Sequence, residues 1–105
     1  MKEIHNYAVR LNGGPQGEGK QKRGQIHLFN PNNKLVGIID FYGKDTQLPF
    51  DAQAETGVIH MALPTAQMPV VVDLLRNEKP IYLAWQEKLQ NAYLSTSQEP
   101  VGEGE

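Results

Sequence analysis

Apolar and polar residues alternate along most of this chain, and the alternation gives way to a helical spacing once. Over residues 4–11, Tyr7, Val9 and Leu11 fall on one face at period two, which predicts a strand. Residues 24–29 predict a second, with Ile26 and Leu28 on one face and His27 and Phe29 on the other. The tetrapeptide Asn30-Pro31-Asn32-Asn33 is a turn signal: proline presets φ, and asparagine tolerates a positive φ. Residues 34–42 return as a third strand whose two faces, Leu35/Gly37/Ile39/Phe41 and Val36/Ile38/Asp40/Tyr42, are both largely apolar. Such a strand belongs in the middle of a sheet, covered on both sides. Gly37 within it predicts a bulge or a close backbone approach.

Residues 57–63 predict a fourth strand that runs into a helix start at Pro64-Thr65, with Thr65 as N-cap. Met68, Val71, Val72 and Leu75 then recur at i, i+3, i+4 and i+7, one buried stripe of a single helix. Asp73, Arg76 and Asn77 lie off the stripe, and Pro80 ends it. Pro69 sits in the first turn, where its missing N–H costs nothing. The consecutive valines are poor helix formers, so packing rather than propensity must hold this helix. Residues 81–86, with Ile81, Leu83 and Trp85 on one face, and residues 92–96 complete the strands. Two long loops, 12–23 and 43–56, separate the elements, and a polar tail follows from residue 97.

The expected fold is therefore α+β: a strongly curved antiparallel sheet of about six strands with one helix after strand four. Residues 1–96 form a single domain and 97–105 an acidic flexible tail. The 39% hydrophobic content of the 105 residues fits an ordinary globule. With no cysteine, disulfides and thiolate chemistry are excluded. The absence of an apolar segment after Met1-Lys2-Glu3-Ile4-His5 and of any membrane-length apolar run leads to the expectation of a cytoplasmic protein without membrane association.

Charge changes the picture more than composition does. The net charge is −2, but residues 1–35 hold six Lys and Arg against two Glu, a balance of +4. Arg10, Lys20, Lys22, Arg23 and Lys34 lie on or beside the first three strands, and Tyr7 and Phe29 are aromatic residues of the same sheet. A curved sheet offering rings for base stacking and cations for phosphate is a general platform for single-stranded nucleic acid. The plainer account makes the rings core and the charges a solvated rim. His5, His27 and His60 fall on three different strands and would form a metal site only if the fold gathered them; their spacing does not demand it. The loop Gly13-Gly14-Pro15-Gln16-Gly17-Glu18-Gly19-Lys20 fails the phosphate-loop pattern, since Gln21 follows the lysine and no helix follows the loop. Asp40 in mid-strand is either a base or ligand beside a histidine or, more simply, a residue near the sheet rim or paired with a cation. No acid–base pair, triad or cofactor motif is visible, so no cofactor is expected.

From Ile26 to Asn77, the order strand, short turn, strand, long loop, strand and proline-marked helix resembles the single-stranded-DNA-binding transcriptional coactivator and Whirly-like superfamily. The residues that carry the likeness are the turn Asn30-Pro31-Asn32-Asn33 and the junction Gly57-Val58-Ile59-His60-Met61-Ala62-Leu63-Pro64. The resemblance implies dimerisation through the helices and nucleic-acid binding on the strands away from them. It carries over Gly57 and Pro64 individually, both in structural roles. The chain departs from the coactivator pattern where the loop before the last strand is acidic, Pro49 to Thr56, and where two strands follow the helix. Its ending, Leu94 to Glu105, also resembles that of small bacterial proteins. The leading expectation is a homodimer that binds single-stranded nucleic acid without catalysis. The alternatives are a protein-interaction or assembly module whose contact surfaces are the acidic tail and the apolar helix, or a small barrel binding a metal or small molecule through the histidines.

Overall fold

Residues 1–13, 22–44 and 46–97 are described by the computed structural model. Lys20 and the tail from residue 98 lie outside these. Among the described residues the strands are β1 (Lys2–Ile4), β2 (Asn6–Leu11), β3 (Lys22–Phe29), β4 (Leu35–Tyr42), β5 (Ala52–Gln53), β6 (Ile59–Pro64), β7 (Ile81–Gln86) and β8 (Asn91–Thr96). One helix, α1 (Met68–Asn77), stands between β6 and β7. The α+β class and the single helix match the sequence reading; the single antiparallel sheet does not.

The strands form two sheets, a larger one in the order β2-β3-β4-β6-β5 and a smaller one in the order β1-β7-β8. The segment expected as one strand over 4–11 breaks at His5, where the chain leaves β7 and joins β3. Within the larger sheet β4 and β6 run parallel, Gly37 opposite Ile59 through Tyr42 opposite Pro64. The segment between them is long enough for the crossover that parallel strands require. It also holds β5, which pairs antiparallel with β6 where the sequence predicts loop. As expected, β4 is central, between β3 and β6.

The core lies between the sheets. Ile26, Leu28, Ile39 and Phe41 from the larger sheet are fully buried, and they meet Val71 of α1, Ile81 and Leu83 of β7 and Ala92 of β8. Gly37 is the point of closest approach: a Cβ there would collide with the Leu83 side chain. Gly24 does the same for the helix, since its Cβ would stand 2.5 Å from Met68 Cε. Glycine at these two positions lets β7 and α1 sit down on the same sheet face.

The helical stripe holds: Val71 is buried and Met68, Val72 and Leu75 pack against the core, while Asp73, Arg76 and Asn77 are exposed. Thr65 does not cap it. Residues Thr65–Gln67 form a 3-10 turn, α1 begins after it, and neither start has a side-chain cap. Pro69 in the first turn supplies the helical φ instead. The fourth strand begins at Ile59, two residues later than expected, because Gly57 adopts φ +93° in the preceding turn. Lys2 Nζ donates to the Gly57 carbonyl at 2.6 Å, tying the first strand to that turn.

Candidate functional site

Helix and smaller sheet both cover one face of the larger sheet, which leaves the opposite face without a covering element of secondary structure among the described residues. Cross-strand register assigns side chains to it, because directly opposed residues share a face. One row runs Arg10, Gln25, Asp40, Ala62, and the next runs Ala8, His27, Ile38, His60. Lys22, opposite Tyr42, belongs to the same face at its end, and Phe29, opposite Asn6, closes the other end.

A polar cluster sits at the centre of this face. Asp40 is only 6% exposed. Gln25 Nε2 donates to its Oδ1 at 2.8 Å, and Lys22 Nζ stands 3.8 Å from the same oxygen. His27 Nε2 lies 3.4 Å from Gln25 Oε1, a long contact that extends the chain of polar groups toward the next strand. Tyr42 is buried beside them, and its phenol pKa is raised, first by burial and then by the Asp40 charge. Asp40 is therefore not beside a histidine: it lies toward the end of the central strand, paired with a cation as the sequence allows, Lys22, and hydrogen-bonded by Gln25. A buried carboxylate needs such partners, since an unpaired one is costly to desolvate.

The sequence candidates divide. Arg10 and Lys22 share the outer face with Phe29. Arg23 sits in the irregularity between Lys22 and Gly24, where the register shifts. Lys34 follows the turn at the far end of β3 and β4, about 20 Å or more along the strands from Lys22. Tyr7 and Phe29 point opposite ways: Tyr7 opposes Leu28 and packs against the core, so Phe29 alone of the two looks outward. Lys20 lies outside the described residues.

The three histidines do not converge. His27 and His60 lie in one row with Ile38 between them, about 10 Å apart. His5 occupies the passage between β1 and β2, at a cleft of about 190 Å³ bordered by Glu3, Arg76, Glu78 and Lys79. That cleft carries two acids and two bases and selects no ionic ligand. Among the described residues no group of three or more His, Cys, Asp or Glu is placed to hold a metal ion. Nor is any described helix long and apolar enough to cross a membrane.

Asp51 belongs to the acidic loop before β6, where the sequence shows only its charge. Its Oδ1 accepts from the Ala62 amide of β6 and its Oδ2 from the Ala92 amide of β8, both at 2.8 Å. One carboxylate thus joins the two sheets. No local pattern marks it, because its partners lie 11 and 41 positions away.

No family model matches the chain, and neither a curated protein nor a solved structure matches it.

Proposed function

We propose that this protein is a non-catalytic binding module that takes single-stranded nucleic acid on the outer face of its larger sheet. The observation that carries this reading is the gathering of Arg10, Lys22, His27 and Phe29 on the face of the larger sheet that helix and smaller sheet leave uncovered among the described residues. Arg10 and Lys22 meet phosphates near one end of the face. Phe29, half-buried at the other end, offers a ring to a base. Gln25 and His27 between them supply donors and acceptors for base edges.

The attraction is modest. Asp40 offsets part of the Lys22 charge, so the face works as a local contact and not as a deep basic groove. Its strength should fall with salt, each phosphate neutralised by a cation contributing about −0.7 to the logarithmic salt slope for a single strand. Fluorescence polarisation of a labelled mixed-sequence single strand, titrated at low and at physiological salt with a duplex control, tests the reading. Preference for the single strand, with affinity and salt slope both reduced in Arg10→Ala, supports it. No binding at low salt overturns it.

A further inference from the structure

We propose that β2 is the association edge of a homodimer, in which two copies pair their β2 strands antiparallel about a twofold axis through Val9. This rests on the edges of the sheets and not on the face discussed above. Among the described residues the two sheets have four edges, and three of them carry some obstacle to pairing. Two are very short: β5 has two residues and β1 three. At β8 the Ala92 amide is taken by Asp51. Short strands and covered amides are ordinary ways of blocking edge-to-edge pairing.

The remaining edge, β2, has none of these. It is six residues long, Asn-Tyr-Ala-Val-Arg-Leu, with no proline and no charge on the face that carries the core. Among the described residues no strand pairs with its far side. The Asn12 amide donates to the Arg23 carbonyl at 2.9 Å, in line with the register Leu11 opposite Gly24. By antiparallel alternation the even-numbered residues of β2 therefore bond to β3, and Tyr7, Val9 and Leu11 direct their N–H and C=O groups outward. Side chains of this same set remain exposed, Val9 at 45% and Leu11 at 72%.

The strand complements itself when paired about Val9. With Val9 opposite the partner's Val9, Leu11 meets the partner's Tyr7 on the core-side face, and Tyr7 meets the partner's Leu11. On the outer face Arg10 meets the partner's Ala8, which keeps like charges apart. Sliding the pair so that Arg10 faces the partner's Arg10 costs a direct repulsion and leaves Tyr7 without an apolar partner. The outcome is one continuous sheet twice as wide, with both helices on the same side. A second copy therefore fits this edge in sequence, charge and hydrogen-bond parity together.

Size-exclusion chromatography with light scattering at micromolar concentrations should give twice the mass of one chain. Val9→Pro should give a monomer with unchanged circular dichroism, because the amide it removes points away from β3 and proline is tolerated there. Val9→Lys and Val9→Glu should each be monomeric and should form a mixed dimer when combined, at least tenfold tighter than either alone. A monomeric wild type overturns the proposal. A dimer that survives both Val9→Pro and Val9→Lys also overturns it, since the contact would then lie elsewhere. Neither result depends on whether the outer face binds nucleic acid.

Discussion

The two faces of the larger sheet are made by alternate residues of the same strands, yet they solve burial in different ways. On the inner face Ile26, Leu28, Ile39 and Phe41 are excluded from water by apolar packing against α1 and β7. On the outer face Asp40 is nearly as inaccessible, but hydrogen bonding and charge hold it, through Gln25 and Lys22. Packing tolerates no partner loss in volume, whereas a polar cluster tolerates no partner loss in chemistry. The contrast separates what stabilises the protein from what is available for recognition.

The largest test of that contrast is a pair of phenylalanines. Phe41→Ala should lower the unfolding free energy by about 3–5 kcal/mol, measured by urea denaturation, because it empties a fully buried site. Phe29→Ala, on the outer face and only half-buried, should cost about 1 kcal/mol. It should weaken oligonucleotide binding by more than it weakens the fold, whereas equal losses would mean that Phe29 is a packing residue.

Asp40 sharpens the comparison from the polar side. Asp40→Ala leaves Gln25 without its acceptor and should cost about 1–3 kcal/mol in the same assay. Replacing Asp40 and Gln25 together with leucine should recover most of that loss, since it removes both polar partners at once. If the double substitution is as damaging as the single one, the cluster does more than satisfy itself.

The smallest effect concerns Tyr42. Its folded pKa lies above the ordinary 10.0 because burial and the Asp40 charge oppose the phenolate. The folded state thus holds the proton more tightly than the unfolded chain does. That contribution to stability is fully present below the unfolded value and is lost as pH rises from there through the folded value. Denaturation midpoints should fall as pH rises above 10.0, and Tyr42→Phe should flatten that part of the profile. An identical slope in the variant would remove Tyr42 from the account.

Elements whose signals are local were legible in the sequence. The stripe Met68, Val71, Val72, Leu75 and the strand at 81–86 appear as expected. So does the turn at Asn30, whose side chain accepts from the Asn32 and Lys34 amides while Asn33 takes φ 62°. Adjacency was not legible. Alternation shows that Tyr7 and Phe29 each have a face, but only the register of β2 on β3 shows that the faces differ. The parallel pairing of β4 with β6 and the break at His5 likewise depend on which strands become neighbours. The Asp40 cluster needed the same information, since Gln25 reaches Asp40 only once β3 and β4 are in register.

Asp51 bears on how the molecule opens. A single carboxylate accepts from one amide of each sheet, and β5, which follows it directly, is paired with β6, so a fluctuation that pulls β8 away takes the Ala92 amide off a carboxylate that stays with the larger sheet. The two sheets consequently share a latch, and loosening of the smaller one at that corner exposes the Ala92 amide to exchange with water. Because the latch spans 41 positions of chain, it closes only after both sheets have come together. The Ala92 amide is then the group at this corner whose exchange reports the release of β8.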